Sequence, residues 1–152
     1  MQKFWILRRM RNLGFNKKIL YDIYQKEMRS TLEFAVPVWN NSITKVESDL
    51  IEQVQKRVFR FLLQHEYHSY ENAIEIFKTN TLKERRDKIS LKFTIKEMKK
   101  TESMFIKSNP KIVNRHTSKK IVKEYTCNTD RFFQSSIPYL SRMINKYHAS
   151  KQ

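Results

Sequence analysis

Glycine is nearly missing from this chain of 152 residues: Gly14 stands alone, beside three prolines and one cysteine. Phosphate-cradling loops, dinucleotide fingerprints and Gly-x-Ser-x-Gly elbows each need several residues without a Cβ, so all three are excluded. Turn-rich β-sandwiches fall for the same reason, and with so few breakers the chain reads as helices joined by short turns, an all-α fold. The lone Cys127 has no partner for an intramolecular disulfide or a cysteine zinc site, and it fits a reducing compartment. Acidic residues are scarce as well: 15 Asp and Glu stand against 31 Lys and Arg. None precedes Asp22 and no two Asp are adjacent, so a two-metal polymerase or nuclease centre has no visible ligands. The longest apolar run, Phe34 to Trp39, is far short of the roughly 18 residues of a membrane helix.

What remains is aromatic and basic. Ten Phe, seven Tyr and two Trp suffice for a modest core, and a net charge of +16 points to a polyanionic partner. Nucleic acid is the first expectation and an anionic membrane surface the second. Half the excess lies in residues 103–152, which hold ten Lys and Arg against Glu124 and Asp130. Such a segment is either a solvated, self-repelling tail or a polyanion-binding arm. Arg8, Arg9 and Arg11 interrupt any secretory apolar segment at the N-terminus. An intracellular setting follows, nuclear or cytoplasmic, with a mitochondrial presequence as the alternative for so basic a start.

Periodicity divides the chain into a helical body over 1–100 and a basic linker and C-terminal segment over 101–152. The body should hold about five helices. The first spans about Lys3 to Asn12, with Phe4, Leu7 and Met10 on one face and Gly14 as C-cap. The second runs from Asn16 as N-cap towards Ala35, on Ile19, Leu20, Ile23, Tyr24, Met28 and Leu32. Pro37 disfavours helix at Val36, so Val36 to Trp39 should leave it. Thr44 with Glu47 forms a capping box ahead of an apolar stripe of Val46, Leu50, Val54, Val58 and Phe61, with Gln55, Lys56, Arg57 and Arg60 mostly off it. A short helix covers about Ser69 to Phe77, and a second capping box, Thr81 with Glu84, opens a long helix to about Lys100. Trp39, Phe34, Phe59 and Phe61 are expected in the core. Beyond the linker, Ile121 to Thr126 reads as extended, and Pro138 suits the first turn of a short last helix.

No catalytic constellation stands out. His65, Glu66 and His68 read as surface residues, because a catalytic zinc needs three convergent ligands; no metal, cofactor or small-molecule substrate is expected. Arg85 and Arg86 sit in a helix's first turn, where the dipole disfavours cations. Either a phosphate is held there by guanidinium and backbone N–H groups, or the arginines pair with Glu84, Asp87, Glu71 or Glu75. Tyr125, Phe132, Phe133, Tyr139 and Tyr147 lie among tail cations, where they either stack bases or pack the tail down. The candidate backbone-binding residues are Arg57, Arg60, Arg85, Arg86, Lys119, Lys120, Lys123 and Arg131.

Several blocks resemble one family. The run Tyr24-x4-Arg29-Ser30-Thr31-Leu32-Glu33-Phe34-Ala35-Val36-Pro37-Val38-Trp39 is similar to the Y-x4-RS-x-LEYA-x-PVW stretch that follows the polymerase palm in non-LTR retrotransposon reverse transcriptases of the jockey-like and chicken-repeat-like groups. Leu50 to Arg57, Ser69 to Ala73 and Thr81 to Arg86 follow in the family's order, then a looser block from Arg131 to Asn145. The resemblance spans essentially the whole chain and is confined to the thumb and the segment after it. It implies a template- and primer-holding piece of an RNA-directed DNA polymerase, inactive by itself because the palm's Asp-Asp motif is not in this sequence. The alternatives are a helical protein-interaction module and part of a longer, active polymerase. One departure stands out: the pattern often carries Gly-Leu near Lys78 to Asn80, and no glycine is present here.

Overall fold

The computed structural model describes residues 3–100, 103, 105 and 121–150, and its regular structure is helical, with no strand among them. The expected linker 101–120 lies almost wholly outside the described residues. Helix α1 (Phe4–Asn12) buries Phe4 and Leu7, and the chain turns at Gly14, whose φ of 85° suits a residue without a Cβ. Helix α2 (Lys17–Ile23) is capped by Asn16, whose side chain accepts from the Ile19 amide at 3.0 Å. A π-helical turn over Tyr24–Arg29 carries it into the short α3 (Ser30–Leu32). The buried face is Leu20, Tyr21, Tyr24 and Met28, while Ile19, expected inward, is exposed.

Ala35 stops this helix by taking a left-handed φ of 50°. Val36–Trp39 then forms a helical turn of its own, α4, with Pro37 in its first turn, where a missing N–H removes no intrahelical bond. The expectation of a non-helical stretch there is corrected to a new helix. Helix α5 (Lys45–Leu63) opens on the expected capping box: Thr44 Oγ1 accepts from Glu47 N at 3.2 Å, and Glu47 accepts from Thr44 N at 2.7 Å. Its apolar stripe is a different matter. Val46 and Leu50 are 69% and 55% exposed, and the buried positions are Gln55, Val58, Phe59, Leu62 and Leu63. Steps of four residues advance about 40° around a 3.6-residue helix, so the stripe from Val46 to Val58 winds about a third of the way round. Only its far end meets the core.

A 3₁₀ turn (Gln64–Glu66) leads to α6 (Tyr70–Ile76), capped by Ser69. Lys78 takes φ of 47° just beyond, at the point where the family pattern often carries glycine. Helix α7 (Leu82–Met98) follows, and Thr81 Oγ1 accepts from Glu84 N at 3.1 Å. Its deepest line is Leu82, Arg86, Ser90, Thr94 and Glu97, flanked by the half-buried Ile89, Leu91, Phe93, Ile95 and Met98. Thr94 Oγ1 donates to the Ser90 carbonyl at 2.8 Å, which satisfies a buried hydroxyl within the helix itself. Helix α8 (Asp130–Phe133) was not foreseen, and the last helix, α9 (Ser136–Ala149), is 14 residues long rather than short.

The chain divides into two compact units, one of Met1–Phe34 with Thr44–Arg85, the other of Ala35–Ile43 with Arg86–Gln152. The division falls inside α7, between Arg85 and Arg86, and does not coincide with the boundary expected near 101. The first unit is centred on Tyr21, Tyr24, Phe59 and Phe77, with the Tyr21 and Phe77 rings stacked at 4.4 Å. Phe59 is buried there and Phe61 packs against the same core, as expected, but Phe34 is 79% exposed. The second is built on Phe105, Val122, Leu140 and Ile144, with Leu91, Phe93, Ile95 and Met98 of α7 packed against them. Asn145 ties the non-helical segment after Ile121 to α9. Its Oδ1 accepts from Ile121 N and Val122 N at 3.0 and 3.1 Å, and its Nδ2 donates to the Val122 carbonyl at 2.9 Å.

Candidate nucleic-acid interface

In the first unit the blocks that carry the family resemblance are joined to one another by polar side chains. Tyr24 donates to Gln55 Oε1 at 2.9 Å, and Gln55 Nε2 donates to the Tyr70 hydroxyl at 2.9 Å and the Asn80 carbonyl at 3.1 Å. Tyr70 in turn donates to Glu52, whose carboxylate also accepts from the amides of Leu82 and Lys83 at 3.0 and 3.2 Å. Glu52 thus caps the first turn of α7 from another helix, supplying negative charge where the dipole favours it. Burial raises the hydroxyl pKa of both tyrosines above the usual tyrosine range, and at Tyr70 the adjacent Glu52 carboxylate adds to the effect. Gln55, which periodicity puts off the apolar stripe, is fully buried and links four segments.

Arg85 and Arg86 each have side-chain partners within their own unit, Arg85 in the first and Arg86 in the second. Arg85 binds Glu33 through two contacts, Nε to Oε1 at 2.5 Å and Nη2 to Oε2 at 3.0 Å, and Glu33 also lies 3.8 Å from Arg29. The Glu33 carboxylate holds the Arg85 guanidinium pKa above its ordinary value. Arg86 is 1% exposed, and its Nε donates to Asn40 Oδ1 at 2.9 Å, while Asn40 Nδ2 donates to Asp87 at 3.1 Å. A bound phosphate would have to displace Glu33 from the one and reach a buried group in the other. Both partners lie about 50 residues upstream, outside the four acids the sequence suggested.

Arg57 and Arg60 are exposed on α5, and each guanidinium lies over a ring: Arg57 5.4 Å from the Phe4 centroid, Arg60 5.5 Å from that of Tyr67. Beside Arg57 the structure places residues of α1 that the candidate list did not include. Arg8 stands 5.7 Å from the same Phe4 ring, and Arg9 lies 5.4 Å from the ring of Trp5, which is itself 60% exposed. Phe4, Trp5, Arg8 and Arg57 line a shallow cleft of about 210 Å³. A signal was available, since Trp5, Arg8 and Arg9 fall at i, i+3 and i+4 in a stretch without a single acid.

In the second unit Lys123 and Arg131 are exposed, and Lys119 and Lys120 lie outside the described residues. Arg142 is held in place, its Cζ 3.6 Å over the Phe133 ring and its Nη2 donating to the Phe133 carbonyl at 2.6 Å. Tyr139 and Tyr147 pack against the second core, whereas Phe132 and Phe133 are 43% and 48% exposed. Among the described residues no three His, Cys, Asp or Glu side chains are grouped as a metal site would need, and no helix is long and apolar enough to cross a membrane. A comparison with protein-family models, with curated proteins and with solved structures finds no match to the chain.

Proposed function

We propose that the chain is a thumb-like, post-palm module of a non-LTR retrotransposon reverse transcriptase, which grips nucleic-acid backbone without sequence preference and has no polymerase chemistry of its own. The observation that carries this reading is the set of four ordered blocks whose polar residues, from Tyr24 through Gln55 and Tyr70 to Glu52 and Leu82, hydrogen-bond to one another. Residues that share a family pattern and also share a network fit one inherited scaffold. The +16 charge and the exposed Arg57, Arg60, Lys123 and Arg131 supply the attraction to phosphate. An intracellular setting, nuclear or cytoplasmic, goes with it.

The test is the salt dependence of binding. Engagement of about five phosphates gives a log–log slope of about −3.5 on single strands and −4.5 on duplex, the same for unrelated sequences. Arg57→Ala with Arg60→Ala should flatten it, whereas Arg85→Ala with Arg86→Ala should lower stability instead. A slope near zero for the intact chain removes nucleic acid as partner. In that case a helical protein-interaction module takes its place, favoured by the exposed Val46 and Leu50, one helical turn apart on α5.

A further inference from the structure

We infer that the α1 end of the first unit is a stacking site for an unpaired base, with Trp5 as the platform and Arg8, Arg9 and Arg57 as the phosphate contacts that flank it. This rests on the nucleic-acid reading above and adds to it a ligand class, single-stranded rather than duplex nucleic acid, and an address.

Trp5 does nothing evident for the core. It is 60% exposed while its neighbour Phe4 is buried, and an indole left in water forfeits the largest burial gain of any side chain. One guanidinium lies over its ring, and two more line the cleft it shares with Phe4. Arg9 lies against the indole, and Arg8 and Arg57 converge on Phe4 from two different helices, beside the same cleft. No carboxylate is among the cleft's lining residues, and α1 contains no acid at all. Arg8 and Arg57 both line the cleft, so a phosphate entering it meets two positively charged side chains. A nucleotide offers both parts in one ligand: a flat base to cover the indole and a phosphate to meet the arginines. The cleft has a volume of about 210 Å³, and a base splayed from a single strand can reach it where one paired inside a helix cannot.

The experiment measures binding of the full-length chain to oligo(dT), oligo(U) and a blunt DNA duplex, by anisotropy across a salt series and by quenching of Trp5 fluorescence in a Trp39→Phe background. Trp5→Ala should weaken single-strand binding roughly 5- to 150-fold with little change in the duplex, and Trp5→Phe should restore most of the loss. Arg8→Ala with Arg57→Ala should reduce the single-strand salt slope by about 1.4, the share of two phosphates. Equal effects on oligo(dT) and oligo(U) would assign recognition to base and phosphate, and a larger effect on one would add the sugar hydroxyl or the thymine methyl, which oligo(dU) separates. If the chain binds with a steep slope but Trp5→Ala changes nothing, the stacking site is wrong while backbone binding stands. If nothing binds at any salt, both fall.

Discussion

Gln55 holds the first unit's polar interior together because its amide has one acceptor and one donor group aimed at different helices. Its Oε1 takes the Tyr24 proton and its Nε2 serves Tyr70 and Asn80, so neither end can be removed without orphaning a buried hydroxyl or carbonyl. The two tyrosines make this network sensitive to alkali. In the fold their pKa values are raised by burial, and at Tyr70 by Glu52 as well, so the neutral phenol is the form the fold prefers. The stabilisation is fully present below the ordinary tyrosine value of about 10 and is lost as pH climbs past it, since the unfolded chain then releases a proton that the fold retains. For the completely buried Tyr24 that loss is about 1.4 kcal/mol per pH unit. Urea unfolding between about pH 9 and 11 should therefore show a shallower decline for Tyr24→Phe than for the parent. Parallel declines would mean that the phenol titrates in the fold as freely as outside it.

At the scale of elements, what was legible in the sequence was local. Asn16, the Thr44–Glu47 box and Thr81 all cap the helices assigned to them, because a cap needs partners only two or three residues away. The buried faces of α5 and α7 were legible only in part: Val58 and Leu82 are buried where an apolar pattern puts them, but they do not define the whole face. Which side of a helix is covered depends on segments far along the chain, and here polar residues take central places: Gln55 on α5, Arg86 and Ser90 on α7. The same limit hid the partners of the arginine pair, since Glu33 and Asn40 reach it only through the fold. Turn chemistry falls between the two cases. The missing glycine near Lys78 marked an unusual connection, and the structure puts Lys78 in the left-handed region with φ of 47° after α6. A Cβ there is strained by about 1–2 kcal/mol, offset in part by glycine's larger loss of backbone freedom. Lys78→Gly should therefore raise stability by about 0.5–1 kcal/mol in chemical denaturation, with its Thr79 amide still bonded to Ile74. A loss of stability would show that the lysine side chain holds more than its backbone strain removes.

For the whole molecule the deciding feature is that α7 begins in one unit and ends in the other. A body ending at about residue 100 looked self-sufficient from its caps and apolar stripes. The first core does meet that description, since its buried residues run from Phe4 to Ala73. The distal half of α7 does not, because Leu91, Phe93, Ile95 and Met98 pack on Phe105, Val122, Leu140 and Ile144, all beyond residue 100. A chain cut after Lys100 should keep the near-ultraviolet dichroism of the Tyr21, Tyr24, Phe59 and Phe77 cluster. It should lose more far-ultraviolet helicity than α8 and α9 account for, because a half-helix without cover falls below the ~12–15 residues an isolated helix needs. Binding should divide in the same way. The cut removes ten of the 31 Lys and Arg, so the salt slope should flatten to the extent that the C-terminal segment contacts phosphate. Quenching of Trp5 by oligo(dT) should survive, since Phe4, Trp5, Arg8 and Arg57 all remain. Collapse of the aromatic dichroism on truncation would show instead that the first unit cannot stand without the second, and the two would then have to be counted as one folding unit.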